Sequence, residues 1–135
     1  MSLLALDLGE KRVGVAISKS GIIAEPYKTI NFDENFYSEL KDICSQEKVK
    51  KIIVGLPKSL SGKENKQEKK TKKLAKLISK KIGLEVEFVD ERYTSKIAQS
   101  RFESQKTPLR EGKIDEESAV IILETYLEQK KERDG

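Results

Sequence analysis

The 135-residue chain has no histidine, no tryptophan and a single cysteine, Cys44. Without histidine there can be no serine-histidine-acid triad, no cysteine-histidine nucleophilic pair and none of the usual zinc sites of clustered cysteine and histidine. One thiol closes no disulfide within the chain. Acid-base and metal chemistry therefore falls to carboxylates, lysines, tyrosines and hydroxyls. Long apolar runs are missing too. Leu3-Leu4-Ala5-Leu6 is the whole apolar opening before Asp7, too short for a secretory signal, and no later run approaches the roughly twenty residues that span a bilayer. The expectation is a soluble cytoplasmic protein with no membrane partner.

What the chain has in quantity is charge. Charged residues make up 37% and apolar residues 36%, but the apolar residues fall in compact runs, which argues for a folded core beneath a charged surface. The length suits one domain over residues 1–135, with a charged, frayed tail from about Lys130. The net charge of +4 permits a polyanionic partner without requiring one. Its distribution is uneven: Lys63 to Lys81 carries nine lysines against two glutamates, a local excess of 9 − 2 = +7. That stretch is either an ordinary solvated helix face or a surface that attracts a phosphate backbone, and lysines alone would confer no base specificity.

In chain order, Leu3 to Leu6 and Val13 to Ile17 read as two strands of a hairpin around Glu10-Lys11-Arg12, bracketed by Gly9 and Gly14. Asp7 is held where the first strand leaves the core. A carboxylate fixed beside a glycine turn can hold a divalent cation, border a phosphate site, or simply cap the turn. Tyr27 to Ile30 supplies a third strand. Phe36, Leu40, Ile43 and Cys44 then form one stripe of a helix from about Glu34 to Gln46, with Cys44 assigned to the core.

Lys51 to Val54 is a central strand running into Gly55-Leu56-Pro57. The lysine-rich helix follows, with Leu74, Leu77, Ile78 and Ile82 as its apolar stripe and Gly83 as its cap. Glu85 to Val89 alternates as a strand and ends in Asp90-Glu91-Arg92, two adjacent carboxylates and an arginine placed like Asp7; if Arg92 simply pairs with one acid, the other carboxylate still faces the same crevice. Thr94 or Ser95 caps a helix carrying Ile97, Ala98 and Phe102. Ser104 to Ile114 reads as a basic, mobile connection. Asp115 begins the last helix on the side of Ala119, Ile122 and Tyr126, either as its cap or facing the sheet. The pattern gives an α/β fold, an antiparallel meander followed by parallel crossovers. Asp7, Glu91 and Asp115 meet only if the first and fifth strands lie close and the last helix crosses them.

The run Leu4-Ala5-Leu6-Asp7-Leu8-Gly9-Glu10-Lys11-Arg12-Val13-Gly14-Val15-Ala16, then Val54-Gly55-Leu56-Pro57 with Gly62, then Asp90-Glu91-Arg92-Tyr93-Thr94-Ser95, and last Asp115 with Ser118-Ala119 and Ile122-Leu123, resembles the YqgF family. That family, also called RuvX, is one of pre-16S rRNA nucleases and Holliday junction resolvase-like proteins. The resemblance implies an RNase H-like fold, a mixed central sheet with flanking helices. It makes Asp7, Glu91 and Asp115 the catalytic, metal-binding acids, holding Mg2+ or Mn2+, with two ions ~4 Å apart serving an in-line attack.

The implied substrate is structured RNA, foremost the 5′ end of precursor 16S rRNA. Branched DNA is the alternative, as is a noncatalytic nucleic-acid-binding role, and the oligomeric state stays open. Arg12, Lys58, Arg92 and Arg110 are the expected phosphate contacts, and Gly9, Gly14 and Gly55 the structural glycines. Three departures stand out: Lys19 where the family often has aspartate, Ser118 in place of the first of an alanine pair, and Leu56-Pro57 at a strand end where RuvC-type resolvases carry an acid nearby. Asp7-x-Gly9 with Gly14 also has the style of sugar-kinase and actin-like ATPase hairpins, but those enclose nucleotide between paired domains.

Overall fold

The computed structural model describes residues 2–59, 61–91 and 111–134. Strands β1 (Ser2–Leu8) and β2 (Arg12–Ser18) form the opening hairpin, its turn closed by the Gly9 amide donating to the Arg12 carbonyl at 3.0 Å. Strand β3 (Glu25–Asn31) pairs antiparallel with β2. The chain then passes through helix α1 (Phe36–Gln46), returns as β4 (Val49–Leu56) parallel to β1, crosses by α2 (Lys66–Ile82), and adds β5 (Glu85–Asp90) parallel to β4. The sheet order is β3-β2-β1-β4-β5, the meander and crossovers expected from the sequence.

Strand alternation sorts the side chains onto two faces. Leu4, Leu6, Val13, Val15, Ile52 and Val54 pack with α1 and α2. Leu3, Ala5, Ala16, Ile53 and Val89 point the other way, onto helix α3 (Glu111–Asp134). Asp7 is in phase with Leu3 and Ala5, so it projects toward α3. Leu4, Leu6, Ile52 and Ile53 are wholly buried, and each such side chain contributes about 1.5–3 kcal/mol by leaving water. The strand carrying Asp7 is therefore anchored on both sides.

The α1 stripe is as the spacing predicts, with Phe36, Leu40, Ile43 and Cys44 all buried. In α2 the buried line is Glu68, Thr71, Ala75 and Ile78, whereas Leu77 is exposed. The reason is angular: Leu77 sits about 100° from Ile78, off the line that the 3.6-residue repeat traces from Glu68. Glu68 tolerates burial because Lys72 lies 3.2 Å away. Asn65 caps α2 by accepting from the Glu68 amide at 2.7 Å, and Gly83 ends it in the left-handed conformation at φ 83°.

Helix α3 departs from expectation at both ends. It is already helical at Glu111, the first described residue of this part of the chain, so Glu111 to Ile114 is helix instead of loop and Asp115 is no cap. Thr29 secures that extra turn from β3, its Oγ1 lying 2.6 Å from the Gly112 carbonyl and 3.1 Å from Glu116 Oε2. At the other end the helix continues to Asp134, so the expected frayed tail from Lys130 is helical. The helix expected to carry Ile97, Ala98 and Phe102, and the connection through Arg110, lie outside the described residues. Among the described residues no helix is long and apolar enough to cross a membrane.

Candidate active site

The strand register sets a row across the sheet. Asp7 lies opposite Gly14 on β2, and one step beyond the Leu6–Val54 pair places it beside Gly55 on β4. Asp7 thus has a glycine on each flank, and both absent side chains are filled by something else. A Cβ at Gly14 would run into the backbone carbonyl of Asp115, so α3 settles on β2 only because that position is glycine. A Cβ at Gly55 would lie 2.7 Å from Glu91 Oε1 and 2.6 Å from Ile122 Cδ1.

Glu91 follows directly on β5, which is not adjacent to β1, since β4 lies between them. The gap at Gly55 lets its side chain lie across β4, and its carboxyl shares a hydrogen bond with Asp7. Asp115, in the second turn of α3, contributes charge from the other flank and accepts a hydrogen bond from Arg12 Nε at 2.8 Å.

Two carboxyl groups in contact cannot both ionise at low cost. Asp7 is pushed up to about 7, first by burial, then by the charge and hydrogen bond of Glu91, and least by the charge of Asp115. Glu91 is also raised, chiefly by burial and further by the charge of Asp90, with the Asp7 hydrogen bond opposing. The pair is set to share a proton.

Hard oxygen donors crowded around excess negative charge suit a small divalent cation, which would take the place of that proton. Among the described residues no three acids close on a single point: Asp7 and Glu91 meet, while Asp115 is paired with Arg12. The donor chemistry fits a cation on the Asp7–Glu91 pair with Asp115 at its side.

Of the expected phosphate contacts, Arg12 is half-buried within this cluster, and Lys58 is exposed just past the end of β4. Arg92 and Arg110 lie outside the described residues. Two roles are invisible in the sequence. Thr29 reads there only as part of a strand, and nothing local marks it as the anchor of α3. Gly55 reads as a structural glycine, but its purpose depends on Glu91 reaching across a strand.

A sheet of this order, with acids at the ends of its first and fifth strands and on the helix above them, defines an RNase H-like fold. Thermus thermophilus RuvC in complex with a Holliday junction substrate shares it with a TM-score of 0.64, over 97% of this chain and 96% of that one, at 9% identity. A second structure of Thermus thermophilus RuvC gives a TM-score of 0.57 over 98% and 97% at 8% identity. Residues 1–129 match the family described as RuvX, Holliday junction resolvase, and the chain belongs to it. A relative from Sulfurihydrogenibium sp. (strain YO3AOP1) is 39% identical over 130 residues, 94% of this chain and 90% of its own. One from Acaryochloris marina (strain MBIC 11017) is 40% identical over 136 residues, 96% and 94%. Both are named as candidate pre-16S rRNA nucleases.

Proposed function

We propose that the protein is a divalent-cation-dependent endonuclease that hydrolyses a phosphodiester bond in structured RNA, acting at the 5′ end of precursor 16S rRNA. The observation that carries this reading is the meeting of Asp7 and Glu91 over Gly55, with Asp115 lodged against Gly14 beside them. The family membership and the names of the relatives point the same way.

Asp7 and Glu91 would hold the cation, and Asp115 would complete the negative ring once it shares its charge between the cation and Arg12. A Mg2+ or Mn2+ ion bound there would supply charge stabilisation for the phosphate under attack. The remaining work belongs to the side chains. With no histidine in the chain, orienting the attacking water falls to a carboxylate, and Glu91, beside Asp7, is placed to do so. Arg12 faces the same cluster and offers positive charge to a phosphate oxygen. Lys58, exposed two residues past the end of β4, positions the backbone without reading bases.

The test is a cleavage panel of precursor 16S rRNA, an unrelated structured RNA and a four-way DNA junction, with and without Mg2+ or Mn2+, run beside Asp7→Ala. The expected result is cation-dependent cleavage of the precursor that Asp7→Ala abolishes while still binding RNA. Preferential cutting of the junction would shift the substrate to branched DNA. Equal cation-independent cleavage by both proteins would reject the site.

A further inference from the structure

Helix α2 lies on the sheet face opposite Asp7, against α1, so its charge takes no part in the acid cluster. Its lysines are not spread evenly. Lys66, Lys69, Lys73, Lys76 and Lys80 recur at alternating steps of three and four, which stacks them along one side of the helix. All five are exposed, and they lie opposite the buried line of Glu68, Thr71, Ala75 and Ile78. At 1.5 Å per residue the ladder runs about 21 Å.

The two acids of this region form their ion pairs off the ladder: Glu64 and Glu68 both pair with Lys72, at 2.7 and 3.2 Å, and of the ladder lysines Glu64 feels the charge of Lys69 without an ion pair. Among the described residues no carboxylate forms an ion pair with a ladder lysine. Lysine stems often cover apolar surface, but these lie on the side of the helix away from its buried line. Like charges at three- and four-residue spacing destabilise a helix, so the arrangement carries a cost that a polyanion would relieve.

The ladder begins at the catalytic end of the sheet. Asn65 Nδ2 donates to the Pro57 carbonyl at 3.2 Å, two residues beyond Gly55, and Gln67 and Lys70 share a cleft with Gly9 and Glu10 of the hairpin turn.

We propose that this lysine ladder is a second contact surface for the substrate, on which the phosphate backbone of an RNA segment flanking the cut lies after crossing the β1–β2 turn from the acid cluster. The proposal rests on the nuclease reading for its substrate, and it adds where the uncut flank is held. Lysines at this spacing read charge and not bases, so the ladder contributes affinity and orientation while sequence or shape is selected elsewhere.

The experiment measures binding against salt for a structured RNA and a DNA four-way junction, using Lys69→Gln/Lys73→Gln/Lys76→Gln and a charge-matched control, Lys19→Gln/Lys50→Gln/Lys131→Gln. Removing one lysine that neutralises a phosphate reduces the slope of log affinity against log salt by about 0.7–0.9, so the ladder variant should drop by about 2–3 in slope on RNA and the control by less than about one. Thermal melting should show the ladder variant at least as stable as the parent, since like charges at three- and four-residue spacing are removed. Equal slopes for the ladder variant and the control would overturn the proposal, as would ladder dependence on the junction but not on RNA. Because binding is read separately from cleavage, failure of the Asp7→Ala test would not move these slopes.

Discussion

Arg12 Nε donates to Asp115 Oδ2 at 2.8 Å, joining the first residue of β2 to the second turn of α3 across 103 residues of sequence. Both side chains are partly exposed, so the pair adds at most about 1 kcal/mol to stability. Its larger effect is to fix where Asp115 points. Arg12→Ala should therefore lower the melting temperature by no more than about 2–5 °C while reducing cleavage roughly tenfold to a hundredfold, with Arg12→Lys intermediate. Parallel melting curves and single-turnover rates check this, and an unchanged rate would remove Arg12 from the site.

The two glycines beside Asp7 should fail in different ways. At Gly14 the obstacle to a methyl group is Asp115 backbone, which cannot swing aside, so Gly14→Ala must push α3 off the sheet at a cost of about 1–3 kcal/mol or more. At Gly55 the obstacles are the ends of the Glu91 and Ile122 side chains, which can rotate. Gly55→Ala should fold with a smaller loss of stability yet lose most of its cleavage and its Mg2+ response, because Glu91 can no longer lie across β4. Denaturant midpoints set against activity separate the two; equal losses in both would contradict the assignment.

Much of this arrangement is legible in the sequence because it is local. The alternation of Leu3 to Ala16 specifies the hairpin, the Phe36–Cys44 stripe specifies α1, and the phase of Asp7 with Leu3 and Ala5 follows from the two-residue repeat. What is not legible depends on residues far apart. The first turn of α3 exists where Ser104 to Ile114 reads as a loop because Thr29, 83 residues before Gly112, holds it. Leu77 is misplaced by an apolar stripe of four residues because hydrophobicity outweighs angle there, whereas in the folded helix Thr71 and Glu68 take the inner positions. The reach of Glu91 over Gly55 needs the strand order, which composition does not reveal.

Cys44 is buried in the α1 stripe, and burial pushes its thiol up to about 11. At pH 8 only about one thiol in a thousand is then ionised, and the sulfur is covered as well. Native protein should resist alkylation by iodoacetamide and react quickly once unfolded. Cys44→Ala should leave cleavage unchanged and cost about 1–2 kcal/mol for the small cavity. Rapid labelling of folded protein, or a loss of activity in Cys44→Ala, would overturn its assignment to the core.

The acid pair predicts an inverted dependence of stability on pH. A buried carboxyl whose folded value is raised binds its proton more tightly in the folded state than in the unfolded one. Its contribution to stability is complete below the ordinary value near 4, and is lost as the pH rises through about 7. For Asp7 the loss is at most about 4 kcal/mol, less because Glu91 shares the proton. In EDTA the parent should thus weaken from pH 4 to pH 8, whereas Asp7→Asn, which keeps the shape and cannot ionise, should weaken much less and be the more stable of the two at pH 8. Adding Mg2+ at pH 8 should restore the parent by replacing the proton with a cation and leave Asp7→Asn nearly unmoved. Denaturant midpoints across this range decide the matter: a parent as stable as Asp7→Asn at pH 8 in EDTA would mean that the carboxylates are not crowded as the geometry indicates.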